Sequence, residues 1–478
     1  MTAPLNCKSL FFNLLLTLSF SMGGMSLFSQ VRFEKSYPMM NETTGFGVAL
    51  APDEGHLSCG SLNSGEVIQG LAICTNAVGD TLWTRLYDNA LYAVCPGPDG
   101  GYFFTGWRNS SHEQNLLMMK TDKYGNIEWE NSAGSSTSIG RSICLTADSG
   151  YCIVGETTPY ETAPSQILVA RINRNGDPMW TRWFGDGAWS LTGKSIIPDD
   201  NAGFVICGTR STVMGDESDM LLLNIDSAGN EIWMKTYSHS LLSDAGSDVI
   251  HTTSGGYFAA GTTRLPDNSD QALWIVRTDS QGDTLWTKTF DTLAWASPGV
   301  HATLCATGGF AITGVVYDPV SFTNNILLKR FDADGNILWS RNFGSLGHEY
   351  AFGINTASDQ GFLVIGSVWD PVFQTMDTYL AKTDDQGHVT PVSTADKEAT
   401  RNIQIFPDPT PGWVTITSVD PVVKMTVVNY KGVAISELTF RPEGICTQTT
   451  DFSHLPDGIY LLKIDTKAGT FLRKVIKD

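Results

Sequence analysis

One repeated motif constrains the fold of this chain more than any other feature. It consists of Asn or Asp, two residues, a Gly, and a Trp four residues after the Gly. Its copies end at Trp83, Trp129, Trp180, Trp233, Trp286 and Trp339, at intervals of 46, 51, 53, 53 and 53 residues. A seventh copy, "DDQG" at 384–387, lacks the Trp. Repeats of this length are typical of folds in which each unit packs only on its neighbours.

A second motif, an apolar run closed by Gly at both ends, occurs in the same register. Examples are "GFVICG", ending at Gly208, and "GFAITG", ending at Gly314; a degenerate first copy ends at Gly60. Each unit holds four short strand candidates separated by Gly, Asn and Asp. The third, such as "DMLLLNI" at 219–225, is apolar almost throughout and needs cover on both faces. The pattern predicts an all-β chain with a seven-bladed β-propeller over about residues 31–385.

The Trp begins the outermost strand of each unit, where we expect it to pack against the neighbouring blade. Outer strands commonly read Trp-x-Lys/Arg-x-Phe/Tyr, and "FEKSY" at 33–37 fits this frame with Phe33 in the place of Trp. The repeats therefore begin with an outer strand and end without one. We expect the N-terminal strand to complete the last blade, antiparallel to residues 377–384, which would close the ring and leave no open edge.

Charge is distributed unevenly along the chain. The formal net charge is −19, but residues 401–478 carry nine bases and eight acids, so residues 1–400 carry −20. This break indicates a domain boundary near residue 400. The acidic excess argues against nucleic acid as a partner and against an anionic membrane surface.

The N-terminus is typical of an export signal. Lys8 precedes an apolar run from 10 to 20 that is too short for a stable membrane anchor, and residues 1–29 are interpreted as a cleaved signal peptide. Eight cysteines follow that segment without a repeated pair spacing, mostly inside apolar runs. Buried free thiols are favoured, and one disulfide within the early repeats is left open.

The C-terminal region has a different pattern. Residues 386–400 are polar and turn-rich, which indicates a linker, and residues 401–478 contain short alternating strands. This pattern predicts a small Ig-like β-sandwich.

Three ordered motifs in this region resemble a known family. They are "FPDPTPG" at 406–412, "DFSHLPDGIYLLKI" at 451–464, and the basic end "RKVIKD". Together they resemble the type A C-terminal sorting domain of type IX secretion cargo, with Asp408 where that family usually has Asn. The resemblance implies a sorting signal that includes Pro407, Pro409, Thr410, Gly412, Leu455, Pro456, Gly458, Tyr460 and Lys474.

The same resemblance implies a route and a partner. The signal peptide would direct the chain into the periplasm of a Gram-negative bacterium. Residues 401–478 would then engage the type IX secretion machinery, so that the protein is secreted or held at the outer-membrane surface.

No linear motif for catalysis, cofactor binding or a metal is present. The chain lacks HExxH, GxSxG, a P-loop and a strand-to-helix GxGxxG, and "DADGN" at 332–336 is interpreted as a hairpin turn rather than a Ca²⁺ loop. A quinone-cofactor propeller would usually carry adjacent cysteines and eight units, neither of which is found. We therefore expect no cofactor, no metal and no catalytic residue.

Two functions remain open. The first is a monomeric, non-catalytic binding or structural module with a glycan or protein ligand on the propeller face. For such a ligand, the long loops at 263–273 and 316–325 are candidates. The second is a secreted hydrolase acting on glycans or peptides. It would need carboxylates or His from different blades to converge in the central channel.

Overall fold

The fold is described from a computed structural model. It covers residues 32–389 and 403–477, except for short gaps at 40, 52–53, 66, 110–113, 135–136, 160–162, 214–216, 240–242, 253, 266–270, 294–298, 320–321, 344–346, 371–373, 407–409, 411, 419–420, 430–433, 441–445, 457 and 467–469. The predicted signal peptide and most of the predicted linker lie outside the described residues. Within them, no helix is long and apolar enough to span a membrane.

The elements named within the described residues are all β-strands. Apart from β1 (Phe33–Tyr37), those of the repeat region are β2 (Glu42–Leu50), β3 (His56–Asn63), β4 (Ile68–Thr75) and β5 (Thr81–Tyr87); β6 (Ala90–Pro96), β7 (Tyr102–Asn109), β8 (Gln114–Thr121) and β9 (Ile127–Ala133); β10 (Thr137–Leu145), β11 (Tyr151–Thr158), β12 (Gln166–Ile172) and β13 (Pro178–Phe184); β14 (Ser190–Pro198), β15 (Phe204–Ser211), β16 (Ser218–Ile225) and β17 (Glu231–Tyr237); β18 (Asp244–His251), β19 (Tyr257–Arg264), β20 (Gln271–Thr278) and β21 (Thr284–Leu293); β22 (His301–Leu304), β23 (Phe310–Asp318), β24 (Thr323–Phe331) and β25 (Ile337–Phe343); and β26 (Glu349–Thr356), β27 (Phe362–Asp370) and β28 (Thr375–Lys382).

Each group of four strands forms an antiparallel sheet in chain order, and a single bridge between Thr137 and Gln114 joins the second group to the third. The last sheet has the order β1-β28-β27-β26, with Phe33 opposite Lys382 and Tyr37 opposite Thr378. The repeat therefore predicted the partner of the N-terminal strand correctly.

The strand that comes first in each repeat, called here its first strand, contacts the first strand of the next repeat. The pairs in contact are β2–β6, β6–β10, β10–β14, β14–β18, β18–β22, β22–β26 and β26–β2. Apolar side chains of adjacent sheets share buried clusters, for example Val154 with Leu221 and Phe258 with Phe310. The core is therefore a series of layers between successive sheets.

Each outer strand places its aromatic residue on a turn of the next sheet. The contacts join Phe33 to Gly79, Trp83 to Gly125, Trp129 to Gly176, Trp180 to Gly229, Trp233 to Gly282, Trp286 to Gly335, and Trp339 to Gly387. These glycines all have positive φ, from 73° at Gly335 to 87° at Gly176. A Cβ at any of them would lie within 3.0 Å of the aromatic ring, so the turn needs Gly both for its backbone conformation and for space.

Strand β1 reproduces the contacts of an ordinary outer strand. In β17, Lys235 Nζ lies 2.5 Å from Asp283 Oδ1, and Tyr237 Oη donates to the Gly282 carbonyl at 2.7 Å. In β1, Lys35 makes the same 2.5 Å contact with Asp80, and Tyr37 donates to Gly79 O at 2.9 Å. Phe33 thus fills the position that Trp occupies elsewhere.

A buried base often lies opposite the Trp on the third strand. Lys120 is paired with Trp129, and Lys382 with Phe33. Their ammonium groups reach acids in the turn between the first two strands, with Nζ–O distances of 2.8 Å to Asp99 and 2.7 Å to Asp359. A buried charge requires such a partner, so these contacts fix the turn against the third strand.

A buried histidine lies beneath β1. The His56 ring is 3% exposed, and its centroid is 5.6 Å from that of Phe33. Burial, with a smaller contribution from Lys382, lowers the pKa of His56 to about 4. The unfolded chain therefore binds more protons than the folded chain between pH ~6.5 and ~4, and stability falls as the pH is lowered through this window.

We expect acid to destabilise the wild type more than His56→Gln. The difference in unfolding free energy between the two should shrink by up to about 3 kcal/mol from pH 7 to pH 4, as measured by urea unfolding. The comparison with the variant matters because burial raises the pKa of Asp377 to about 6, which acts in the opposite direction. A difference that does not change with pH would contradict this assignment.

The C-terminal region forms two antiparallel sheets over one core. Its strands are β29 (Ile403–Phe406), β30 (Trp413–Ser418), β31 (Val422–Asn429), β32 (Ala434–Thr439), β33 (Cys446–Asp451), β34 (Gly458–Thr466) and β35 (Thr470–Lys477). The sheet orders are β29-β30-β33 and β32-β31-β34-β35. Val414 of one sheet and Leu462 of the other share a buried cluster with Phe452.

Candidate binding channel and sorting tail

A cavity of about 620 Å³ lies among the first strands of the repeat region. Its lining includes residues of β2, β6, β10, β14, β18, β22 and β26. A volume of this size is in the range of small-molecule sites, which span about 300–1,000 Å³.

Much of the lining comes from one position that recurs in the first strands. At this position the strand register shifts by one residue, as a β-bulge, so that the residue has no partner on the second strand. The residues are Phe46, Tyr92, Arg141, Lys194, Ser247 and Phe352. All of them line the cavity. Bulges commonly redirect a side chain beside a functional site, and here they leave chemically different groups at equivalent positions.

One side of the channel is aromatic. The ring centroids of Phe46 and Tyr92 are 4.8 Å apart, and those of Phe46 and Phe352 are 5.2 Å apart in an edge-to-face arrangement. We call these three residues the aromatic arc. They lie on β26, β2 and β6, and β2 contacts both of the other strands. The arc offers apolar surface to a ligand.

The next two first strands carry positive charge. The Arg141 guanidinium lies 4.9 Å from the Tyr92 ring centroid and donates to Glu156 Oε1 from Nη2 at 2.5 Å and from Nε at 3.1 Å. Lys194 Nζ is 3.7 Å from the other oxygen, Oε2. Burial alone would raise the pKa of Glu156, but Lys194 and Arg141 outweigh it and lower that pKa. We call Arg141 and Lys194 the cationic arc.

The residue after each bulge often connects neighbouring sheets. Ser195 Oγ donates to Asp248 Oδ1 at 2.5 Å, and Asp248 Oδ2 accepts from the Ala302 backbone N–H at 2.9 Å. Asp248 Oδ1 also accepts from its neighbour Val249 N–H at 2.8 Å. His301 lines the cavity as well; burial lowers its pKa, while Asp248 opposes that shift. The Asp248 carboxylate is therefore engaged in holding three first strands together.

The described residues of the long loops contribute little to the lining of the cavity. Only Gln271 comes from the segment 263–273, and no described residue of 316–325 lines the cavity. Residues 266–270 and 320–321 of these loops lie outside the described residues. The bulged residues were not identified from the sequence. Their signal is the position that follows Gly45, Gly140, Gly193 and Gly246, which varies while its surroundings repeat.

The turn at 332–336, which the sequence analysis interpreted as a hairpin rather than a Ca²⁺ loop, uses its first carboxylate to bind its own backbone. Asp332 Oδ1 accepts the N–H groups of Asp334 at 2.9 Å and Asn336 at 2.8 Å, as expected for a hairpin turn. Within the described part of the chain, no group of three or more His, Cys, Asp or Glu is arranged to hold a metal ion.

The tail motifs that are far apart in sequence meet in space. Thr410 is buried, and its Oγ1 accepts from Gly412 N–H at 3.1 Å and donates to the Trp413 carbonyl at 2.8 Å. The Gly412 carbonyl accepts from Phe452 N–H at 2.6 Å, which links the first motif to the second.

The second motif is closed by a tyrosine. Tyr460 Oη donates to the Pro456 carbonyl at 2.6 Å, and its ring centroid is 6.4 Å from that of Phe452. Leu455 packs on the core of the tail. Gly458 opens β34, and Lys474 lies opposite Leu461 in β35. Pro407 and Pro409 lie outside the described residues. Phe452, which the sequence analysis did not single out, connects the two motifs.

Comparison with known proteins identifies this tail. Residues 404–478 match the family described as the secretion system C-terminal sorting domain. Such a tail marks a protein for export by the type IX system, to the cell surface or by release. A search of curated proteins gives no match.

Solved structures give only weak similarities. The β-propeller domain of the Trilobed protease from Pyrococcus furiosus is 10% identical, with a TM-score of 0.44 and coverage of 74% of this chain and 99% of that one. Acylaminoacyl peptidase from Pyrococcus horikoshii is 10% identical, with a TM-score of 0.43 and coverage of 79% and 58%. BamB from Moraxella catarrhalis is 13% identical, with a TM-score of 0.39 and coverage of 70% and 84%.

At these scores the similarities carry no argument about function, and the strand pairing described above is the basis for the architecture. The chain combines a series of four-stranded antiparallel sheets with a type IX secretion sorting tail at its C-terminal end.

Proposed function

We propose that this protein is an exported, cell-surface or released binding module that holds a ligand in the axial channel of a seven-bladed β-propeller. In this proposal residues 1–29 are a signal peptide, 31–385 the propeller, 386–400 a linker and 401–478 an Ig-like sorting domain. The type IX machinery is the export partner, the route passes through the periplasm, and the mature protein is a monomer.

Two sets of contacts support the closed ring. The contacts between first strands return from β26 to β2. The aromatic-to-glycine contacts also form a complete cycle, because Phe33 of the last sheet reaches Gly79 of the first, and Trp339 reaches Gly387 of the last. In an open array, the first sheet would lack a preceding neighbour and the last sheet would lack a following one.

The single observation that favours ligand binding is the variation at the bulge position. Structural positions, such as the Trp and its glycine, repeat from unit to unit, whereas the channel position changes from Phe and Tyr to Arg, Lys and Ser. Apolar and charged groups are thereby placed side by side on the wall of one cavity, which is the composition of small-molecule sites.

A hydrolase is the second candidate, because Asp248 and His301 line the cavity and Glu156, on a third sheet, contacts the lining bases Arg141 and Lys194. General acid or base catalysis needs a carboxyl that is free to exchange a proton with the substrate. Asp248 and Glu156 are instead occupied by Ser195, backbone N–H groups and Arg141. Hydrolysis of a glycoside or peptide panel that is lost in Asp248→Asn would favour the hydrolase.

Blocking the channel tests the binding proposal. Ser247→Tyr places a ring at the position where Tyr92 stands in the second unit, so the bulge can accept it. Asn175→Tyr is the matched control, because it lies on an exposed turn at the position of Tyr124. We expect some members of a panel of neutral sugars, acidic sugars, aromatic acids and short peptides to raise the Tm of the wild type and the control, but not of Ser247→Tyr. A panel without any stabilising member would overturn the proposal.

Removing the tail tests the export proposal. Deletion of residues 401–478 should leave the propeller in the periplasm, because the sorting domain is the element that the type IX machinery recognises. Cell fractionation followed by immunoblotting measures this distribution. Normal release of the truncated protein would contradict the assignment.

A further inference from the structure

We propose that the channel selects a monoanionic carboxylate that carries a ring or other apolar body, with the carboxylate at Lys194 and the body on the aromatic arc. This inference rests on the proposed function and specifies the ligand of the same site. Acidic saccharides with one uronic acid and aromatic carboxylic acids share this chemistry.

The charge balance of the cationic arc is the first argument. Two bases, Arg141 and Lys194, face one acid, Glu156. Arg141 makes two hydrogen bonds to Glu156 Oε1, whereas Lys194 Nζ is 3.7 Å from Oε2, which is longer than a hydrogen bond. Within the described part of the chain, the Lys194 ammonium makes this ion pair and no hydrogen bond. One positive charge with unused donors is therefore directed at the channel.

Asp248, the acid that lines the cavity, forms no ion pair with Lys194 within the described residues. Asp248 accepts hydrogen bonds from Ser195 and from the N–H groups of Val249 and Ala302, which already stabilise its carboxylate. Arg141, Lys194 and Glu156 together carry one net positive charge, which matches a single carboxylate better than a phosphate dianion or a polyanion. Charge-assisted hydrogen bonds of this kind are about twice as strong as neutral ones.

The neighbouring aromatic arc supplies the second half of the site. Arg141 stacks on Tyr92 and so joins the cationic arc to the aromatic arc. Phe46 and Phe352 continue the apolar surface beyond Tyr92. A ligand with its charge at one end and a ring at the other spans both arcs, and the cavity of about 620 Å³ has room for two or three rings.

Calorimetric titration of the full mature chain with matched pairs of compounds tests this assignment. One pair is a disaccharide with one uronic acid and the same disaccharide with the carboxyl reduced to an alcohol. The other pair is 3-phenylpropionate and 3-phenylpropionamide. We expect at least one carboxylate to bind at least tenfold more tightly than its neutral partner. Comparison of the two pairs identifies which source of the carboxylate fits.

Three variants separate the charge from a structural effect. Lys194→Gln should weaken carboxylate binding about tenfold or more and leave the neutral partner unchanged, whereas Lys123→Gln, at an exposed turn, should change neither. Glu156→Gln should strengthen carboxylate binding, because it leaves both bases uncompensated. A merely structural ion pair would not produce this gain.

The outcomes distinguish the two proposals. If carboxylate and neutral partner bind equally and Ser247→Tyr abolishes both, the channel binds a ligand but the charge assignment is wrong. Unchanged carboxylate affinity in a folded Lys194→Gln protein would also overturn it. If no compound of the wider panel binds, the proposed function itself fails.

Discussion

Removal of residues 31–37 is expected to destabilise the whole array of sheets rather than fray one end. Strand β1 supplies the outer edge of the last sheet, through five paired positions with β28. It also contacts the first sheet, through Phe33 and Tyr37 on Gly79 and Lys35 on Asp80. Without β1, the last sheet has an exposed edge and the first sheet loses its neighbour's aromatic residue.

The single substitution Phe33→Ala isolates the aromatic contact. Phe33 is 7% exposed and packs with Leu363, Ile365 and Leu380. Truncation of a buried Phe costs about 3–5 kcal/mol, and we expect about 3 kcal/mol because Phe33 lies at the rim of its cluster. Phe322→Ala is the matched control: that ring is 71% exposed, so its loss should cost less than about 0.5 kcal/mol.

Hydrogen exchange distinguishes global from local destabilisation. In the truncated protein, protection should fall in β2–β5 and in sheets further along the chain, as well as in β26–β28. If the last sheet alone lost protection, β1 would be a local edge strand and would contribute nothing to closure.

The strand pattern could be predicted because the repeats could be compared with one another. One copy of "Trp-x-Lys-x-Tyr" would have little meaning, but several copies identified Phe33 as a stand-in for Trp. The packing of each Trp on the neighbouring sheet was also predicted. The sequence did not identify the contact itself, in which Trp83 lies on Gly125, the turn glycine of the following copy.

The channel could not be predicted for a related reason. Its lining residues stand about 50 residues apart, each on a different sheet, and they become neighbours only when the first strands pack together. The bulge that turns Lys194 and Arg141 inward has no marker except the preceding Gly. Buried bases such as Lys120 and Lys382 were missed because a single charge at the end of an apolar run is indistinguishable from a strand boundary.

The sorting tail, unlike the channel, was recognised from the sequence. Two of the motifs recognised by their resemblance to a family lie about 40 residues apart, and the hydrogen bond from Phe452 N–H to Gly412 O connects them in the fold. The family resemblance supplied the motif positions, whereas the physical connection between them came only from the fold.

Substitution of a turn glycine is expected to have the second large effect on the free energy of unfolding. Gly335→Ala should cost about 3 kcal/mol, as the sum of two terms. Its φ of 73° is unfavourable for a residue with a Cβ by about 1–2 kcal/mol. The new Cβ would also lie 2.3 Å from the Trp286 ring, and overpacking of this kind costs about 1–3 kcal/mol.

A glycine in the same group of strands separates the two terms. Gly308 has a φ of 86°, and a Cβ there would meet nothing within 4 Å, so Gly308→Ala should cost only the backbone term, about 1–2 kcal/mol. Both glycines donate their N–H to the carbonyl three residues earlier, so the turns are comparable. Urea unfolding of the two variants measures the difference directly.

A double-mutant cycle measures the coupling between Gly335 and Trp286. In a Trp286→Leu background the clash is removed, so the cost of Gly335→Ala should fall to that of Gly308→Ala. The Trp286→Leu substitution is itself destabilising, but the cycle subtracts that cost. If Gly335→Ala were equally damaging with and without the Trp, the ring would not rest on the turn of the next sheet, and the contact that links each blade to its neighbour would have to be sought elsewhere.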